Sequence, residues 1–247
     1  MAGWAEKNLP QWDGVIFCIV LFYFALRLVF LATSIATAIA PDEAEHIKLI
    51  ELYNRYPGFV LPESAATASL DMATHRPHLY FWLMGKALHL NVFSLPSFLF
   101  LRLVHVLLSL VTALISWRFF RLLTADKAVS LLAIIVLTNI PMYSFLAAFV
   151  SYDNVINLLS VSCFYFLFKF LKGHEARDLY GLLIAALPGP LIKFTFLPLW
   201  AIFAMILAID GIKNSKDRAA AESGRPTAGL TLRHAHLLPD SSPHRAG

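Results

Sequence analysis

Residues 15–46 read VIFCIVLFYFALRLVFLATSIATAIAPDEAEH, and this stretch decides the fold. Its first part, 15–39, is an almost wholly apolar run of about 25 residues, interrupted by Arg27. At about 1.5 Å per residue a helix of that length exceeds the ~30 Å hydrocarbon core of a bilayer. A secretory signal has an apolar core of only about 7–15 residues. The run therefore reads as an uncleaved membrane anchor, although Lys7 precedes it and Ala38-Ile39-Ala40 follows it. Directly behind it stand three carboxylates and an imidazole, Asp42, Glu43, Glu45 and His46. Charges at the point where a chain leaves the membrane are stable only where they meet water or a partner.

The whole chain has the same character. Of its 247 residues 58% are hydrophobic and 15% charged, against about 45–50% and about 25% in a soluble domain. A net charge of +4 raises the question of nucleic acid. The basic residues sit in short loops between apolar runs, however, which is a membrane-topology signal and not a binding face, so no nucleic-acid partner is expected. Cys18 and Cys163 both lie within apolar runs and read as small buried hydrophobes, not as a disulfide or a zinc site.

Working outward, residues 1–14 form a short lead with Trp4 and Trp12 placed to anchor at the interface. A polar segment, 41–77, follows the first span. It carries a surface helix that begins at Glu43, with Asp42 as a plausible N-cap, and stops at Pro57-Gly58. Further spans are expected at 98–120, 129–149 (with Pro141 inside) and 155–170. The apolar stretch 179–209 is too long for one span and is broken at Pro188-Gly189-Pro190, so it reads as a hairpin of two short helices. The fold class is all-α, a polytopic transmembrane bundle of about six spans covering 15–212, with 213–247 a disordered tail. Arg118, Arg121, Lys127, Lys169, Lys172, Arg177, Lys213 and Lys216 follow the even-numbered spans. Positive residues mark cytoplasmic loops. The 41–77 loop, the Asp153 corner and Lys193 then fall together on the non-cytoplasmic face, and the tail on the cytoplasmic one. The tail's change of composition also admits a truncated or frameshifted form of a longer protein.

Asp42 and Glu43 are the sharpest chemical signal. A carboxylate at the membrane boundary can take a proton from an acceptor hydroxyl while a lipid holds the donor phosphate there. The competing reading is an N-cap with an acidic first turn. His75, Arg76 and His78, with Lys193, have the chemistry to hold a phosphate, or else to snorkel at the interface. Asp153 either caps a span or orients a partner. Glu45, His46, His75 and His78 are metal-ligand types, but their spacing matches no zinc signature, so no cofactor is indicated and a divalent metal stays an open alternative. Arg27, Arg102 and His105 within spans read as interhelical hydrogen bonders or cavity-lining groups.

These residues, in their order, resemble the N-terminal half of the glycosyltransferase-C superfamily. The motifs are Pro41-Asp42-Glu43 with nearby His46, Arg76-Pro77-His78-Leu79-Tyr80-Phe81, Leu101-Arg102-Leu103, Tyr152-Asp153, and Lys193 before Leu197-Pro198-Leu199. The chain is most similar in pattern to dolichyl-phosphate-mannose protein mannosyltransferases and to bacterial relatives that use polyprenyl-phosphate sugars. Two departures stand out: His78 replaces a second proline, and Leu187-Pro188-Gly189-Pro190-Leu191-Ile192-Lys193 replaces a glycine-led Thr-Lys segment. The resemblance implies an inverting transferase with a lipid-phosphate-linked sugar donor. Asp42 would be the general base with Glu43 beside it, and His46, His75, Arg76, Tyr80, Asp153 and Lys193 would contact substrate. The acceptor would be a glycan, lipid or protein hydroxyl. The membrane would be the bacterial inner membrane or the endoplasmic reticulum. Rival readings are a transporter, for which the broken 179–209 hairpin speaks, and a non-catalytic membrane subunit.

Overall fold

The computed structural model describes residues 2–37, 39–40, 42–59 and 78–223. One compact unit ends at Phe203, and a second begins at Ala204.

Helix α1, Ala2–Ser34, contains the first span, Trp12–Ser34. Phe17, Phe24, Leu28 and Ala32 recur at helical spacing and form its buried stripe, while Ile19, Phe22, Leu26 and Phe30 face outward, toward lipid. The helix ends earlier than the apolar run does. The carbonyls of Ala32 and Ile35 turn instead to the guanidinium of Arg102 on α4 (Ser97–Leu123).

The span expected at 129–149 is two helices, α5 (Lys127–Asn139) and α6 (Pro141–Ala147), bent by 66°. Ile140, held extended in front of Pro141, breaks the ladder, and Pro141 opens α6 at its first position. A break at membrane depth leaves carbonyls without partners unless other groups supply donors. Arg27 does so, donating to the Thr138 carbonyl, to Ser144 and, at 3.2 Å, to Asn139 Oδ1. Ser144 Oγ donates to the same Thr138 carbonyl at 3.0 Å. The in-span arginine is thus the structural complement of a proline break.

Helix α7 is Tyr152–Gly173. The expected hairpin is α8 (Ala176–Ala186), a short α9 (Gly189–Ile192), a 3-10 turn (Phe194–Phe196) and α10 (Leu197–Ser223). Its break falls where the prolines are. Gly189 is required there, because a Cβ would sit 2.2 Å from the Phe196 ring. Trp200 Nε1 donates to the Ala186 carbonyl at 2.8 Å and ties the two arms.

Among the described residues four helices are long and apolar enough to cross a membrane, five if the bent pair counts as one span. The remaining expected span is α8, whose 11 residues rise only about 16 Å. The second arm, by contrast, is long: α10 runs to Ser223, into the segment expected to be tail. The part of α10 in the second unit holds an internal contact from Asn214 Nδ2 to Asp210 Oδ2 at 3.1 Å. Residues 224–247 lie outside the described residues.

Helix α2, Glu43–Arg55, is the expected surface helix. It buries Glu43, His46, Leu49, Ile50 and Tyr53, a stripe that includes two charged or polar residues, and packs on α3, Leu79–Ala87. The two approach through Gly85, where a Cβ would lie 2.8 Å from Tyr53 Cβ. Lys86 donates to the Tyr53 and Tyr56 carbonyls at 3.2 and 2.9 Å, satisfying orphan groups at the end of α2.

Contacts sort the charged residues onto two ends of the first unit. Asp13 pairs with Arg121, Lys172 bonds the Leu122 carbonyl and Lys169 pairs with Asp178 at one end. Glu43, Asp153 and Lys193 meet α4, α7 and the hairpin turn at the other. The Asp42–His46 segment, the Asp153 corner and Lys193 therefore do share one end.

Candidate functional site

The foundation of this end is a buried ion pair. Arg102 Nε donates to Glu43 Oε1 at 2.8 Å and Nη2 to Oε2 at 2.6 Å, a two-pronged contact between side chains that are both 0% exposed. Nη1 donates to the carbonyls of Ala32 (2.9 Å) and Ile35 (2.6 Å), and the guanidinium lies 4.5 Å from the Phe149 ring centroid. Glu43 Oε1 also accepts the Val150 N–H at 3.1 Å. One pair thereby joins the end of α1, the start of α2, α4 and the 149–151 corner. A charge this deep is tolerable only when every lone pair and N–H finds a partner, and here the set is nearly complete. Glu43, expected as the acidic neighbour that supports Asp42, is enclosed: desolvation of a free carboxylate at that depth would be prohibitive, and Arg102 removes the problem.

Asp42 has the opposite surroundings. It is exposed and sits at φ 60°, in the left-handed region. Aspartate is among the few residues that tolerate this conformation. It occupies the N-cap position of α2, but its side chain makes no capping hydrogen bond. Its carbonyl, not its carboxylate, accepts the His46 N–H at 2.9 Å. The N-cap expectation is therefore met in position and not in bonding, and the carboxylate is left facing outward.

Above the ion pair lies an aromatic layer. His46 Nδ1 faces the Val150 carbonyl at 3.1 Å, so that nitrogen carries the proton. The His46 ring packs 5.0 Å from Tyr152 and 5.5 Å from Phe81. His105 Nδ1 likewise donates to the Leu101 carbonyl at 2.7 Å, which leaves Nε2 to accept from Tyr80 Oη at 2.8 Å. Tyr80 is wholly buried, and desolvation, reinforced by the Glu43 carboxylate, holds its phenol well above the ordinary tyrosine range. Tyr80 and His46, expected to touch substrate, are both buried, with Tyr80 Oη bonded to His105 and His46 Nδ1 to the Val150 carbonyl.

Asp153 and Lys193 come from 40 positions apart and meet at 2.7 Å, each about one-third exposed. Lys193 Nζ also lies 4.6 Å from the Tyr152 ring centroid, and Tyr152 is thus the common neighbour of His46 and Lys193. The cap of α7 is Ser151, whose Oγ accepts the Asp153 N–H at 3.1 Å, so the carboxylate of Asp153 is not the capping group. Lys193 owes its position to the broken hairpin, where it is extended between α9 and the 3-10 turn.

Of the basic motif before α3, His75 and Arg76 lie outside the described residues. His78 is described: its Nδ1 and Tyr53 Oη share a hydrogen bond of 2.7 Å, and burial lowers the His78 pKa while raising that of Tyr53 to about 12. Among the described residues no three His, Cys, Asp or Glu side chains converge as a metal-binding group. Arg102 and Tyr152 were not singled out as site residues by sequence reasoning. The available signal for Arg102 was an arginine in an apolar span, which requires a carboxylate partner somewhere in the chain.

Among the described residues the chain is an all-helical bundle with membrane-length spans, the architecture of an integral membrane protein. Residues 75–220 match the family model of the dolichyl-phosphate-mannose-protein mannosyltransferases, more than half of the chain, and the chain belongs to that family. The match includes Asp153 and Lys193 and begins after Asp42. No curated protein and no solved structure matches the chain.

Proposed function

We propose that the chain transfers a sugar from a polyprenyl- or dolichyl-phosphate carrier to an acceptor hydroxyl, with inversion. Asp42 accepts the proton of the acceptor hydroxyl as its oxygen bonds to the anomeric carbon. The bond from that carbon to the carrier oxygen breaks, and the lipid phosphate leaves with the electron pair. Lys193, steadied by Asp153, offsets the charge that develops on the departing phosphate, together with Arg76 and His75 from the segment before α3. Glu43 and Arg102 act as positioning residues that hold the left-handed turn at Asp42. Tyr152, with His46 and Tyr80 packed behind it, forms the wall against which the sugar rests. The reaction type is supported by the family, and the role of Asp42 by one observation: an exposed carboxylate with no capping bond, held in a left-handed turn above a buried ion pair. Such turns persist at functional sites because the surrounding structure over-determines them.

The test is Asp42→Asn in purified, reconstituted protein supplied with labelled lipid-linked sugar. Losing a general base slows transfer by about 10²–10⁴-fold, and the melting temperature stays that of the native protein because the side chain is exposed. Unchanged transfer removes Asp42 from the mechanism.

A further inference from the structure

At the end of the first unit opposite Lys193, the start of α1 and the last turns of α4 and α7 surround a cavity of about 590 Å3. Its walls carry Arg118, Arg121 and Lys169, with Asp13, Trp117 and Tyr165. Two of the three cations are already answered: Arg121 pairs with Asp13 and stacks 5.5 Å from Trp117, and Lys169 pairs with Asp178 at 2.8 Å beside the Tyr165 ring. Arg118 is exposed and meets no carboxylate or carbonyl among the described residues. The C-terminal carbonyls of α4 do not explain it, since Lys172 takes the Leu122 carbonyl and Arg118 takes none.

Two further features identify the occupant. Trp117 and Tyr165 are amphipathic rings of the kind that sit at head-group level. On α4, exposed Leu107, Val111 and Leu114 lie at helical spacing on the same face as Arg118, so an apolar strip runs from the cavity mouth toward the bilayer interior. A soluble phosphate has no use for that strip, whereas an acyl chain does.

We propose that this cavity binds the head group of an anionic phospholipid, with its phosphate on Arg118 and an acyl chain along Leu114, Val111 and Leu107. Basic pockets between membrane helices hold anionic head groups in this way, and a guanidinium matches phosphate oxygens two at a time. The site is remote from Asp42 and does not depend on the proposed transfer reaction.

Native mass spectrometry of the full chain in detergent, titrated with dioleoyl phosphatidylglycerol or dioleoyl phosphatidylcholine, tests it. The expected result is preferential retention of phosphatidylglycerol, lowered about fivefold in Arg118→Gln, the equivalent of about 1 kcal/mol for one basic group. Arg118→Lys retains most of the binding. Arg177→Gln, which removes the same charge from an exposed position outside the cavity, leaves it unchanged. Equal retention of the two lipids, an undiminished Arg118→Gln, or an equal loss in Arg177→Gln overturns the proposal. Displacement of the lipid by millimolar glycerol phosphate reassigns the cavity to a free phosphate and overturns it too.

Discussion

The two ends of the first unit use the same residue types to opposite effect. At the Asp42 end the central pair, Glu43–Arg102, is sealed from its surroundings and bonded at nearly every polar atom. At the Asp13 end the pairs are partly open, with Arg121 about one-third exposed, and Arg118 meets no carboxylate among the described residues. A sealed pair fixes geometry because neither partner can leave without stranding a charge. An open pair costs little to break and leaves charge available to a ligand. The end with the sealed pair also carries the exposed Asp42 and the Asp153–Lys193 pair, on which the proposed transfer rests.

Breaking the sealed pair should have the largest effect. Glu43→Ala strands the Arg102 guanidinium and should destabilise the protein by about 3–5 kcal/mol. Glu43→Ala combined with Arg102→Met should recover part of that, read as melting temperature in one detergent. If the single variant melts as the native protein does, the end is not built on this pair. The packing around it can be probed through Gly85→Ala, which drives a methyl group into Tyr53 and the α2 backbone. A loss of about 1–3 kcal/mol is expected from overpacking. Asp13→Asn, at the other end, should cost no more than about 1 kcal/mol. A loss matching that of Glu43→Ala would erase the contrast between the ends.

The smallest effect concerns pH. His78 has its pKa lowered by burial, so below the ordinary histidine value of about 6.5 the unfolded chain binds the proton first. Stability is complete above that value and declines as pH falls toward the lower folded value. Replacing His78 with Gln should flatten this part of the stability–pH curve relative to the native protein. An identical slope in both proteins would assign it to other groups.

Much of the architecture was legible in the chain because the bilayer allows few solutions: an apolar run of about 20 residues must satisfy its own backbone, and a helix does so. The same constraint made the breaks readable, Pro141 in one span and Pro188-Gly189-Pro190 in another. What was read less well was the shape of the hairpin, where two short helices were expected and α8 is short while α10 is long. Apolar length alone does not say where within a stretch the chain turns.

The candidate site was legible as a list and not as an arrangement. Asp153 and Lys193 were expected on one face, and the ion pair between them depends on the extended residue that the hairpin break creates. Glu43 and Arg102 are 59 positions apart, and nothing local to either names the other. Nor did local pattern distinguish the wall residues from the exposed ones, since Tyr80 in its motif reads the same whether its hydroxyl faces a ligand or His105.

Asp42 and Glu43 show where the division falls. Composition and the length of the run before them determine that two carboxylates arrive at the edge of a membrane bundle. The sequence cannot say that one is exposed and the other buried. That is decided by a left-handed turn at Asp42, by a guanidinium on α4 and by an N–H from the 149–151 corner, which meet only when the helices have packed.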